Sequence, residues 1–208
     1  MLYTSTVEPN TLSILKQLMS IKELNNFYLV GGTCLSLRYG HRKSIDFDLF
    51  SLKEFTNEWL IEILEKEKIP FEYRSTNNPI GQFGYIGDVK IDFVKHHYFK
   101  QIGEAIIEDG IRMFSSEDIM AMKVFAILKR AHKKDFWDVA ELLRHYTFND
   151  FVKAYTAKYP NMQLLVSLPY AMSYFADADE SEDPISLKGQ TWESVQKIIQ
   201  GYVNEYLK

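Results

Sequence analysis

Asp46 and Asp48 occupy alternate positions of the run IDFDLF (Ile45 to Phe50). In an extended chain successive side chains point to opposite faces, so Ile45, Phe47 and Leu49 share one face and the two carboxylates share the other. Backbones two residues apart are separated by about 6–7 Å, so both side chains can converge on one divalent cation. Asp92, in VKIDFV, has the same setting of an acid among β-branched and aromatic residues. If that strand neighbours the first, three carboxylates meet on one sheet face. Like charges this close need positive charge between them. Mg²⁺ or Mn²⁺ answers that need, with a preference for hard oxygen ligands and positions left for phosphate oxygens and water.

An isolated D-x-D reads better as a pair of solvent-facing strand acids. The preceding glycine turn changes the balance. FYLVGG (Phe27 to Gly32) reads as a short buried strand ending in two glycines, and TCLSLRYG as about two helical turns closed by Gly40. Gly31, Gly32 and Thr33 then open a helix, where free backbone N–H groups and the helix dipole favour an anion and the missing side chains let phosphate approach. A phosphate site beside a metal site is the chemistry these residues spell.

The elements that must position them follow from periodicity. Asn10 or Thr11 caps an N-terminal helix with Leu12, Leu15, Leu18 and Met19 at helical spacing. Glu54 to Lys68 is amphipathic and ends at Pro70, and FEYRS, QFGYI and VKIDFV are three extended runs separated by turn residues. A short strand is placed near Ile106 or Ile111 to Phe114. From Ser115 the pattern becomes helical, broken near His132 to Lys134 and again by Pro160, Pro169 and the acidic stretch Asp177 to Pro184, read as a solvated or mobile connection. The fold class is α+β, with a mixed sheet flanked by helices over residues 1–114 and a helical half over 115–208.

Composition narrows the functional classes. With 24 Lys+Arg against 28 Asp+Glu the net charge is -4, which excludes a uniformly basic, DNA-coating protein. One cysteine, Cys34, excludes a disulfide framework and any multi-cysteine metal site, and suits a reducing cytoplasmic setting. No run of about 18 apolar residues is present to span a membrane, and the N-terminus has no secretory leader pattern.

GGTCLSLRYGHRKSIDFDLF resembles the signature of the DNA polymerase beta-like nucleotidyltransferases, and more closely that of the AbiEii/AbiGii-type toxin nucleotidyltransferases of bacterial toxin–antitoxin and phage-defence systems. His41, Arg42 and Ser44 lead into Asp46 and Asp48 as in that family, and Lys123, Arg130, Lys134, Asp135 and Asp138 match its Lys…Arg…Lys-Asp-x-x-Asp pattern. The resemblance spans Phe27 to Leu143. It implies that Asp46, Asp48 and Asp92 hold Mg²⁺ or Mn²⁺ and that Gly31, Gly32 and Thr33 cradle the phosphates of an NTP. Lys123 would reach the triphosphate across a cleft, with Arg130 or Lys134 beside it. Arg42 and Ser44 would cover the phosphates. A tRNA or other RNA acceptor and a cognate antitoxin are implied too, with Arg38, Arg42, Lys43, Lys129, Lys133 and Lys134 as a basic surface for the acceptor.

Each candidate has an ordinary alternative. Lys123 can pack its stem and send its head to water, and Asp135 reads equally as a first-turn acid and as a functional contact. His41 and Lys43 fit a simple basic loop, and His96 and His97, adjacent in sequence, point to opposite faces. A small-molecule transferase similar to the aminoglycoside nucleotidyltransferases and a catalytically idle nucleotide-binding module are the competing functions.

Overall fold

The computed structural model describes all 208 residues. Helix α1 (Pro9–Ser20) begins one residue before Asn10, because Pro9 at the first helical position has no N–H to leave unpaired. Strand β1 (Phe27–Val30) stops before the glycines, and helix α2 (Gly31–Tyr39) starts on them. Strand β2 (Phe47–Ser51) starts after Asp46, so Ile45 lies outside the sheet and is exposed, contrary to its expected place on the buried face. Helix α3 (Asn57–Lys66) is shorter than the amphipathic run because Thr56 caps it, accepting a hydrogen bond from the Trp59 N–H.

The remaining strands are β3 (Phe71–Tyr73), β4 (Gly81–Ile86), β5 (Val89–Lys95), β6 (Ile106–Glu108) and β7 (Ile111–Met113). Both stretches proposed for one short strand form strands, paired as a hairpin. The mixed sheet runs β3-β4-β5-β2-β1-β7-β6. β2 lies antiparallel to β1 and parallel to β5, with Asp48 opposite Asp92. Phe47, Leu49, Ile91 and Phe93 on the alternate positions are buried, so the hydrophobic face fixes the register and turns the acids to the other side. The Arg112 guanidinium ties this end of the sheet together, donating to the carbonyls of Met19 (2.8 Å), Leu24 (3.1 Å) and Phe27 (3.2 Å).

The chain divides into two compact units. The first holds residues 1–38, 44–99 and 105–114; the second holds 39–43, 100–104 and 115–208. A division at Ser115 alone misses the two short segments, which the second unit binds by side-chain contacts that no local periodicity signals. One is visible at Asp118, which accepts from the backbone N–H groups of Ile102 (3.0 Å) and Gly103 (3.0 Å) and from the buried Lys158 ammonium (2.7 Å).

The second unit contains α4 (Ser116–Arg130), α5 (Lys133–Leu142), α6 (Phe148–Lys158), α7 (Leu168–Ser173) and α8 (Trp192–Tyr206). The break after α4 falls on Ala131, held at φ 45°. Thr147 and Thr191 open α6 and α8 with capping boxes. Phe136, Trp137, Phe175 and Trp192 pack together, with Trp137 and Trp192 stacked 5.9 Å apart, so these aromatics serve the core.

The acidic stretch is anchored, in contrast to the expected solvated connection. Asp183 pairs with Lys133 (2.8 Å), Ser181 accepts from the Lys133 backbone N–H (2.9 Å), and Asp179 accepts from the Trp192 indole (2.8 Å). Its continuation pairs with the 39–43 segment: the Lys43 N–H donates to the Ile185 carbonyl (2.9 Å) and the Leu187 N–H to the His41 carbonyl (2.9 Å). No helix is long and apolar enough to cross a membrane.

Candidate active site

The first unit carries the carboxylates on and just before its central strands. Asp48 and Asp92 face each other across the β2–β5 pair, and Asp46 precedes β2. Gly31 adopts φ +70°, and a Cβ there would stand 2.6 Å from Asp48 Oδ2. Only glycine lets the Asp48 carboxylate lie against the first residue of α2. The turn and the acid are thus packed as one piece, with the start of α2 beside the Asp48 carboxylate.

Thr33 and Ser44 fix the approach to β2. The Thr33 hydroxyl donates to the Asp46 carbonyl, and since a hydroxyl has one proton, the 2.7 Å bond between Thr33 and Ser44 has Ser44 as donor. Both were expected at phosphate. The structure places them against the backbone of the D-x-D segment, where they hold Asp46 in position.

Lys90, which the sequence reading passed over, completes the cluster. It lies two residues before Asp92 on β5, and its ammonium stands 2.6 Å from Asp92 Oδ2. Partial burial works against its charge, but the hydrogen bond to Asp92, followed by the charges of Asp92, Asp48 and Asp46, outweighs burial and raises its pKa above the ordinary lysine range. Its direct contact is with Asp92, and Asp48 stands opposite Asp92 across the strand pair. The available signal was the i, i+2 spacing of Lys90 and Asp92 on a strand.

The donor set fits a hard divalent cation. Asp92 Oδ1 is buried and makes no hydrogen bond, an orphaned acceptor of the kind a cation satisfies. As the side chains stand, with Lys90 on Asp92, no three acids are drawn together as a closed metal cage.

The second unit gathers the other motif residues into a different object. Asp138 is fully buried and accepts from His41 Nε2 (2.7 Å), from Arg42 Nε (2.7 Å) and Nη2 (2.9 Å), and pairs with Lys123 Nζ (2.6 Å). Lys123 also reaches Asp135 (2.9 Å), which Arg130 contacts through Nε (3.1 Å) and Nη2 (3.3 Å). Burial would push the Asp138 carboxyl up, but the Arg42 and Lys123 charges and the hydrogen bonds hold it well below the usual carboxylate range. Asp135 is lowered in the same way, burial being outweighed by Lys123 and then Arg130. Lys134 is exposed, and its pKa is lowered by desolvation and then by the Arg130 charge.

Arg42 and Lys123, expected at phosphate, are therefore buried and bonded to carboxylates within the second unit. Asp135 is both a first-turn acid of α5 and an ion-pair partner. Of the expected basic surface, Arg42 is inside and Lys133 is engaged with Asp183, while Lys43, Lys129 and Lys134 stay at or near the surface. His96 is buried among Phe50, Phe99 and Phe114, and Cys34 is buried in α2.

With this geometry in view, residues 13–188 match the family model described as "Nucleotidyl transferase AbiEii toxin, Type IV TA system". The chain belongs to the AbiEii nucleotidyltransferase toxin family. An uncharacterised protein of Aquifex aeolicus is 31% identical over 201 residues, covering 93% of this chain and 94% of its own length. Among solved structures, JHP933 from Helicobacter pylori is similar with a TM-score of 0.59 at 16% identity, covering 96% of this chain and 92% of its own. MenT4, a nucleotidyltransferase toxin of Mycobacterium tuberculosis, gives 0.58 at 12% identity over 92% of this chain and 80% of its own. The antibiotic-resistance factor ANT(2'')-Ia gives 0.54 at 16% identity over 71% of this chain and 90% of its own. These likenesses carry the fold. Membership of the AbiEii family carries the activity class, nucleotidyl transfer by a toxin.

Proposed function

We propose that this AbiEii-family protein moves a nucleoside monophosphate from an NTP to an acceptor hydroxyl, with RNA such as tRNA as the acceptor. The observation that carries this is the packing of Asp48 against Gly31 at the start of α2 while it faces Asp92 across the sheet. One arrangement thereby offers carboxylates for Mg²⁺ or Mn²⁺ and backbone N–H groups for phosphate. When bound, the divalent ions supply Lewis-acid neutralisation of the triphosphate charge.

The chain's own residues do the rest. Gly31 and Gly32 present backbone to the β- and γ-phosphates. Asp46 and Asp48 anchor the cation-binding edge, and Thr33 and Ser44 keep Asp46 aligned. Asp92 takes the proton of the attacking hydroxyl, the oxygen attacks the α-phosphorus in line, and pyrophosphate leaves. The buried Arg42–Lys123–Asp135–Asp138 network holds the His41 to Lys43 segment, which the chain continues into Ser44 and Asp46, so its role is positioning. Description of the family as a type IV toxin–antitoxin system supports a cognate antitoxin.

The test is transfer of α-labelled NTPs, each supplied separately with Mg²⁺, to total RNA, to the protein itself and to an aminoglycoside. The expected result is label on RNA that Asp46→Asn/Asp48→Asn abolishes. Label on the aminoglycoside alone would replace the acceptor, and label nowhere would contradict the reading.

A further inference from the structure

Lys90 and Lys123 are both lysines on carboxylates, yet their surroundings differ in one decisive respect. Lys123 has two acidic partners and a side chain 7% exposed. Lys90 has one close partner, Asp92 Oδ2 at 2.6 Å, and its side chain is 42% exposed. The Lys90 ammonium can leave Asp92 for water by rotating its flexible four-carbon stem, without unpacking any core residue. What it leaves behind is a carboxylate whose other oxygen is already buried and unpartnered.

Asp48 and Asp92, opposite each other on one sheet face, repel, and the protein must be stable before any cation binds. Lys90 supplies the missing positive charge from within the chain. An ordinary surface pair would contribute little to stability and would need no such location. Here the lysine lies two residues before Asp92 on the same face of β5, and Asp92 in turn stands opposite Asp48 across the strand pair.

We propose that Lys90 is an exchangeable internal counter-ion: it occupies Asp92 in the metal-free protein, yields that oxygen when a divalent cation enters, and so sets the metal affinity of the carboxylate site. The proposal rests on the metal-site reading above. It predicts opposed effects of one substitution. Without metal, Lys90→Met leaves the acids unneutralised and lowers thermal stability; with metal, the loss of the competitor strengthens binding.

The experiment measures Mn²⁺ binding by electron paramagnetic resonance, without nucleotide, together with melting curves at zero and saturating Mn²⁺. The proteins are the wild type, Lys90→Met, Asp48→Asn and Lys95→Met. Lys95 is the control for loss of a charge, because it lies on the other face of β5, 5.5 Å from the Phe55 ring centroid. Lys90→Met should bind Mn²⁺ about tenfold to hundredfold more tightly than wild type, from removal of a unit charge within a few ångströms. It should also melt lower without metal and regain the difference with it. Lys95→Met should stay within about twofold of wild type, since its charge is farther away and screened. Binding that Asp48→Asn weakens but Lys90→Met leaves unchanged would overturn the role of Lys90 while keeping the metal site. Equal tightening by Lys95→Met would also overturn it, as a general charge effect. No Mn²⁺ uptake by wild type or Lys90→Met would overturn both readings.

Discussion

The two units each collect aspartates and cations, and they do so to opposite ends. In the second unit Asp138 and Asp135 are buried and every approach to them is taken by Arg42, Lys123, Arg130 or His41. In the first unit Asp92 pairs through one oxygen with the half-exposed Lys90 ammonium, and its other oxygen is buried without a partner. A closed cluster holds a structure together, whereas an open one has capacity left for a ligand. Motif membership does not separate the two, since both contain residues of the family pattern. Satisfaction of their carboxylate oxygens does.

The largest effect that can break this comparison lies in the closed cluster. Asp138→Asn removes the common partner of Arg42 and Lys123 and should destabilise the protein by about 3–5 kcal/mol, because buried Arg42 loses its carboxylate and Lys123 keeps only Asp135. Chemical denaturation monitored by circular dichroism checks this. A change under about 1 kcal/mol would show that the network is not holding the unit together.

In the open cluster the same kind of change should act on chemistry. Asp48→Asn should lower transfer activity by at least about 100-fold while leaving the unfolding free energy within about 1 kcal/mol. Asp92→Asn should behave likewise, and activity assays paired with denaturation of the same samples give the contrast. Gly31→Ala sits between the two classes. Its φ of +70° and the 2.6 Å approach of a Cβ to Asp48 Oδ2 should cost about 1–3 kcal/mol and displace the carboxylate, reducing activity as well.

pH sharpens the comparison further. Asp138 and Asp135 have pKa values lowered on folding, so their contribution to stability is complete above the ordinary carboxylate range near 4 and is lost as pH falls below it. Stability of the wild type should therefore fall steeply below about pH 4, and Asp138→Asn should flatten that fall. The smallest effect concerns the acceptor. If RNA binds through Lys43, Lys129 and Lys134, its apparent affinity should weaken steadily between low and moderate salt, and a filter-binding titration showing no salt dependence would remove RNA as the acceptor.

Much of this was legible in the residues. The alternation of IDFDLF and VKIDFV placed Asp48 and Asp92 on one face, and the buried alternates Phe47, Leu49, Ile91 and Phe93 fixed the register that makes them neighbours. Gly31 and Gly32 were correctly set at a helix N-terminus, although the strand ends one residue before them. Three things were hidden. Ile45 looked like a strand position because alternation says nothing about where pairing begins, and the hydrogen bonds of Thr33 and Ser44 hold that segment outside β2. Arg42 and Lys123 looked like phosphate ligands because their partner, Asp138, is distant from Arg42 in sequence and only tertiary structure joins them. The acidic stretch looked mobile because charge density signals solvent, whereas Lys133 and Trp192 bind it.

The central claim is that the open carboxylate cluster performs the transfer and the closed one does not. Its most direct measurement is Mg²⁺-dependent labelling of RNA from α-labelled NTPs by wild type and Asp48→Asn, with a melting curve of each protein from the same preparation. The account predicts that Asp48→Asn loses the label and keeps its melting temperature. Undiminished labelling by a folded Asp48→Asn would contradict it.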